Sequence, residues 1–260
     1  MTAGRPATGI QVIARAGEML RALAAAPGGL SQAELAERLS LARTTVHRIL
    51  GALEDEGLVA VSRSRGRYRL GPQIARLAES MRVDLIGRVR PYLEALSREL
   101  DETVDLSVLD HGRVTFLDQV VARHMLRAVS AVGESFPAHS CAPGKAMMSG
   151  LSPGALRDVL PGRLEALTPS TITTLGGLRR ELKTVRERGY AVDREEHTLG
   201  ICAVGAAVGT GDGTQMAISV PMPTQRFPGR EREVAERLLG TCRRIPAELG
   251  LTAEVRTLLG

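Results

Sequence analysis

The sequence predicts a two-domain α+β protein: a small helical N-terminal part closed by a β-hairpin, then a larger part in which helices accompany an antiparallel sheet. Three observations predict it. The chain has 260 residues, above the usual size of one domain and enough for two unequal cores. Apolar spacing is helical up to Glu56 and becomes strand-like beyond Asp101. The basic excess sits at one end, with 11 Arg against 7 acidic residues over 1–80 but 23 basic against 22 acidic over 81–260. We therefore divide the chain into a domain at 1–72, a linker helix at 73–88 and a second domain at 89–260.

The elements follow in order. Ile13, Leu20 and Leu23, with alanines between them, give a first helix from Ile10 to Ala26 that "PGG" ends. Ser31 and Glu34 have capping-box spacing, so a second helix runs from Gln32 to Leu39. A third runs from Arg43 to Glu56, where Gly57 can turn the chain left-handed. "LVAVSRSRGRYRLG", Leu58 to Gly71, reads as a hairpin. Residues 73–86 and 91–101 read as two helices, the second opening on Pro91, whose missing N–H costs nothing there. Strands are expected at "TVDLSVLD", "RVTFLDQVV" and "HMLRAVSAVG", the first two joined by "HG". Helices at 144–150, 153–160 and 176–189, strands at 190–194, 200–208 and 215–221, and a helix at 229–249 complete the second domain.

Composition excludes several classes. Hydrophobic residues make up 43% and charged residues 24%, ordinary for a globular chain, and no apolar run is long enough for a bilayer. "MTAGRPATGIQ" has no charged start followed by an apolar core, so a cytoplasmic protein without membrane association is expected. Cys141, Cys202 and Cys242 lack CxxC spacing, which points to reduced thiols rather than a disulfide framework or zinc module.

The third helix carries the sharpest pattern. Val46, Ile49, Leu50 and Leu53 share one face, and Thr44, His47, Arg48 and Gly51 the opposite one. A solvated face with two cations would ordinarily suffice as an explanation. Here Ala36, Ser40 and Val46 fall at the separations of a helix-turn-helix unit, although glycine is commoner than serine at a turn favouring positive φ. The hairpin adds Arg63, Arg65, Arg67 and Arg69, a wing able to lie on phosphates while Arg43, Thr44, Thr45, His47 and Arg48 face the major groove. Double-stranded DNA is the expected partner. Arginine's planar fork fits phosphate and the guanine edge alike.

With "ARTTVHRILGALEDEGLV", "GRYRLGPQIARLA", "PAHSCAPGKAMM" and "LTPSTITTLGGLRRELKTVRERGYAVDREEHTLGICAVGAAV" in this order, the chain resembles the IclR family of bacterial transcriptional regulators over almost its whole length. The resemblance implies a winged helix-turn-helix domain, a linker helix and a GAF-like or profilin-like effector-binding domain. It implies a homodimer or homotetramer on roughly palindromic operators, with a small-molecule effector, an organic acid or related metabolite, in the C-terminal domain. Carried over by position, the effector site would comprise Phe136, then Ala142, Pro143 and Gly144 after Cys141, with Asp193, Ala203 and Ser219. Three positions depart from the family pattern. Pro143 removes a backbone donor, Pro221 stands where a second serine is expected, and Ala203 falls on the family's cysteine while Cys202 lies one residue early. A donor-poor pocket should take a different, larger or more apolar ligand.

No P-loop, GxGxxG, HExxH or GxSxG is present, so no enzyme, catalytic residue, cofactor or metal site is expected. "AHSC" could suggest a thiol nucleophile or metal site, and "DREEH" a carboxylate group, but buried thiols and solvated turns are commoner. The alternatives are a redox-sensing regulator acting through Cys141 or Cys202, or a small-molecule-binding protein that does not bind DNA.

Overall fold

The computed structural model describes residues 8–62, 66–160, 162–209 and 216–249. The chain divides into two units, Met1–Met81 and Arg82–Gly260, a boundary that falls inside one helix.

In the first unit α1 (Thr8–Ala24), α2 (Gln32–Arg38) and α3 (Arg43–Asp55) accompany a three-stranded antiparallel sheet. Its order is β1 (Leu30–Ser31), β3 (Arg67–Leu70), β2 (Val59–Ser62). The capping box is formed: Ser31 Oγ accepts from the Glu34 N–H at 3.2 Å, and Glu34 accepts from the Ser31 N–H at 2.6 Å. That backbone N–H is the first reason the Glu34 carboxyl lies below its usual range. Ser40 takes φ 52°, as the turn demands, and Gly57 takes φ 68° after α3. Met19, Leu23, Leu35, Val46 and Leu50 form the centre of the core. The inward face of α1 is Met19, Ala22 and Leu23, whereas Ile13, expected on it, is 75% exposed. Strand β1 was not legible, because two residues have no periodicity; pairing with Tyr68 and Arg67 creates it.

The second unit is a six-stranded antiparallel sheet between helices. The order is β6 (Ser135–Pro137), β5 (Arg113–Val120), β4 (Val104–Asp110), β9 (Met216–Pro223), β8 (Ile201–Ala207), β7 (Ala191–Arg194). Alternation assigns the two faces. Val104, Leu106, Val108, Cys202, Val204, Ile218 and Val220 pack against α4 (Pro72–Leu100) and α8 (Glu231–Leu249) in one core. Phe116 and Ala217 join α5 (Ala142–Ser149) and α7 (Leu175–Arg188) in another, flanked by α6 (Pro153–Val159). The "HG" turn is a two-residue connection with His111 at φ 45° and Gly112 at φ 75°, pairing Asp110 with Arg113.

Two expectations are corrected. Residues 73–86 and 91–101 are not separate helices; α4 is continuous through Pro91. Leu85, Val89, Leu93, Leu96 and Leu100 bury one stripe on both sides of the proline, and that burial outweighs one lost backbone bond. The strand expected at "HMLRAVSAVG" is absent, and residues 124–133 form an irregular strap leading into β6. Of its apolar residues Ala128 is buried, but Met125 is 99% exposed, and Leu126, Val129 and Val132 are exposed too. The strap is pinned instead by Arg226, which donates to the Leu126 carbonyl at 2.9 Å and to buried Glu102, and by Ser130, which donates to Asp105 at 2.9 Å.

Candidate functional site

The polar face of α3 emerges because its other face is consumed. Val46, Ile49, Leu50 and Leu53 are buried, while Arg43, Thr44, His47 and Arg48 are exposed and Thr45 is half-buried. Gln32 holds the helix start by donating to the Arg43 carbonyl at 2.9 Å. No side chain caps the α3 N-terminus and its first turn carries no acid, which leaves the helix end electropositive. The wing arginines divide. Arg63 and Arg65 lie outside the described residues. Arg67 turns inward, donating to the Gly29 carbonyl at 2.8 Å and pairing with Glu34 at 3.1 Å, so it fixes the wing strand to the start of α2. That geometry differs from the phosphate-facing arginine expected from the alternation "RSRGRYR", because the tertiary contact with Gly29 was invisible in it.

In the second unit the sheet face beneath α5 forms the floor of a partly open cavity of about 50 Å3. Of the expected effector residues, Phe136, Ala142, Pro143, Asp193, Ala203 and Ser219 line it together. Gly144 does not reach the wall. A Cβ there would lie 2.2 Å from the Ala138 carbonyl oxygen, so this glycine lets two backbones touch. Pro143 at the second helical position has no N–H to offer the cavity.

The register settles the cysteine question. Ala203 pairs with Asp193 on one side and Pro221 on the other, without a bulge in β8. Cys202 therefore points into the α4/α8 core, 3.6 Å from the Thr224 hydroxyl. Burial pushes the Cys141 thiol up to about 12 and raises that of Cys202, so both are protonated thiols at neutral pH. His139 is bonded through Nε2 to the Glu165 carbonyl at 2.9 Å, which accounts for "AHSC" as packing.

"DREEH" is a tight turn rather than a solvated one. Asp193 accepts from the Glu196 N–H at 2.7 Å, Glu195 sits at φ 60°, and Thr168 and Thr171 donate to the carbonyls of Glu195 and Glu196 at 2.6 Å each. Burial raises Asp193 to about 7. Glu196 is held by Lys145, a fully buried ammonium that also donates to the Val192 carbonyl at 2.6 Å. The turn delivers His197 onto Phe136, ring centres 3.7 Å apart and nearly parallel, while Phe116 meets Phe136 edge-on at 4.9 Å.

Sequence reasoning missed several wall residues: Asp105, Phe116, Ser130, His197, Thr198 and Ile201. Asp105 is the consequential one. It is 1% exposed, held by Gln119 at 2.7 Å and Ser130, and raised to about 7 by burial. Its signal was present in "TVDLSVLD", where Asp105 and Ser107 alternate with Val104, Leu106 and Val108. In a sheet covered on both faces such polar residues need a buried polar destination.

Comparison with known proteins gives the family. The model of the IclR helix-turn-helix domain matches residues 12–62, and that of the bacterial transcriptional regulator IclR C-terminal domain matches residues 78–247. The chain belongs to the IclR family. Among IclR-family proteins, it is 56% identical over 239 residues to the HTH-type transcriptional regulator Rv1719 of Mycobacterium tuberculosis, covering 92% of each chain. It is 36% identical to the HTH-type transcriptional regulator TtgV of Pseudomonas putida, over 94% of this chain and 93% of that one. The crystal structure of the Thermotoga maritima IclR superposes with a TM-score of 0.61 at 26% identity, covering 93% of this chain and 99% of that one. As an IclR-family member the chain is a DNA-binding transcriptional regulator with a C-terminal effector domain, not an enzyme. No helix among the described residues is long and apolar enough to cross a membrane.

Proposed function

We propose that this IclR-family regulator binds roughly palindromic operator DNA as a homodimer or homotetramer and changes its occupancy when a small molecule enters the cavity beneath α5. Arg43, Thr44, Thr45, His47 and Arg48 address the major groove. Arg63 and Arg65 meet phosphates, and Arg67 holds the wing at the angle they need. The observation that carries the DNA half is the split α3 helix, with Val46, Ile49, Leu50 and Leu53 spent on the core and Thr44, His47 and Arg48 left outward. Two-fold symmetry would present two such helices to successive half-sites. The effector half is supported by the convergence of Phe136, Ala142, Asp193, Ala203 and Ser219 on the wall of one cavity. An effector acts there only through different affinities for the DNA-competent and DNA-incompetent arrangements.

A gel-shift titration against DNA upstream of the protein's own reading frame tests this. Arg48→Ala should cost about 1–3 kcal/mol and relax base preference, whereas Arg65→Ala should weaken all sequences alike and lower the salt slope by about one. Equal, salt-insensitive binding by both variants contradicts the assignment. Asp193→Ala should keep operator affinity and lose the ligand response; an unchanged response moves the effector site elsewhere.

A further inference from the structure

We propose that the cavity takes an organic cation, an amine or amidine on a short apolar body, with Asp105 and Asp193 as its counter-charges and the Phe136 and Phe116 rings as its wall. The proposal rests on that cavity being the effector site, and it assigns Asp105 a part that the sequence comparison did not.

Charge is the first argument. Asp105 on β4 and Asp193 on β7 both line the cavity, 1% and 5% exposed, and its wall contains no lysine or arginine among the described residues. Their partners are neutral donors: Gln119 and Ser130 for Asp105, and the Glu196 N–H for Asp193. Each carboxylate oxygen can accept more than one bond, so acceptor capacity remains. The nearby cations are committed elsewhere. Lys145 bonds Val192 and Glu196 and lies 3.6 Å from Glu181, so its charge at Asp193 is outweighed by that of Glu196, and Arg90 bonds Asp118 at 2.6 Å. A buried carboxylate without a counter-ion is costly, and an incoming cation removes that cost at both ends of the wall.

The donor count is the second. An anion needs N–H and O–H groups, and this wall has prolines at 143 and 221 and alanine at 203. Gly144 does not line the cavity. A carboxylate would meet two like charges, with Ser219, Thr198 and His197 as side-chain donors on the wall besides Ser130, which is already bonded to Asp105. The rings are the third argument. Aromatic faces attract cations, and His197, stacked on Phe136, is itself held neutral because burial lowers its affinity for a proton. Volume bounds the ligand. About 50 Å3 holds a few heavy atoms, which fits a short chain better than a large ring system.

The experiment titrates the full-length protein with three probes of one shape, n-butylammonium, butyrate and 1-butanol, at pH 8 and matched ionic strength, followed by calorimetry and thermal shift. The expected result is that butylammonium binds at least about tenfold more tightly than either companion, consistent with a charge-assisted pair at buried carboxylates. Asp105→Asn and Asp193→Asn should each remove that preference while leaving the weak binding of 1-butanol unchanged. A preference for butyrate, an equal response to all three, no response to any, or a preference that survives Asp105→Asn overturns the proposal. Ala203→Leu, which fills the wall without touching a charge, separates the two readings. If butyrate wins and Ala203→Leu abolishes its binding, the cavity remains the effector site and the cation assignment falls. If Ala203→Leu changes nothing for a probe that binds, the cavity itself is not the site.

Discussion

Ser40, at φ 52°, occupies a conformation that costs an L-residue about 1 kcal/mol or more. Ser40→Gly relieves it but adds freedom to the unfolded chain, worth about 0.5–1 kcal/mol in the other direction. The variant should therefore be neutral or more stable by less than about 1 kcal/mol in urea unfolding; a clear loss would mean that the serine hydroxyl holds the turn. Asp105 and Asp193, both raised to about 7 by burial, give the residue scale its pH dependence. Between their ordinary range and pH 7 the folded state holds protons that the unfolded chain has released, so stability falls as pH rises through that window and levels off above it. The upper bound is about 4 kcal/mol per group. Melting temperature should drop between pH 5 and pH 8 in the wild type and drop less in Asp105→Asn; identical profiles would show that Asp105 is not protonated in the fold. Neither effect could be sized from sequence. The turn at Ser40 was legible from helix-turn-helix spacing, but burial of Asp105 depends on Gln119, Ser130 and the flanking strands β5 and β9, which meet it only in the fold.

At the scale of elements, Lys145 is the position where packing and charge cannot be separated. It lies one turn into α5, fully buried, and its ammonium ties that helix to β7 through Val192 and to the "DREEH" turn through Glu196. Lys145→Met keeps the volume and leaves Glu196, whose other oxygen already lacks a hydrogen-bond partner, as an uncompensated buried charge. A loss of about 3–5 kcal/mol is expected from the denaturation midpoint; a loss under about 1 kcal/mol would mean that Glu196 is neutral in the fold. The Ser31–Glu34 box, the Gly57 stop and the "HG" hairpin were readable because each is a local device, complete within a few residues. The elements misread share a different cause. Pro91 reads as a helix start until Leu85, Val89, Leu93 and Leu96 are seen buried along one stripe on both sides of it. The strap at 124–133 alternates like a strand, yet it meets β5 only at its end, where the Gly133 N–H donates to the Phe116 carbonyl at 2.9 Å, and Val129 and Val132 remain exposed.

For the molecule as a whole, regulation is a coupling free energy, and it is reciprocal. If the cavity is the effector site, a probe that changes operator affinity by a given factor has its own affinity changed by operator DNA by the same factor, typically about 5–150-fold. Titrating butylammonium with and without operator, and operator with and without butylammonium, should return one number; a cavity that binds the probe while both ratios stay at one is a pocket without regulatory function. The sequence by itself determined the family, the helix-turn-helix spacing, the polar face of α3 and six of the residues that line the cavity, because period, caps and motif order are local in the chain. Only tertiary structure decided that Arg67 faces Gly29, that Cys202 belongs to the α4/α8 core and Ala203 to the cavity, and that Asp105 shares a wall with Asp193. Register supplies the physical reason: a one-residue shift in a strand exchanges its two faces, and the face a side chain occupies is fixed by pairing with strands far away in sequence.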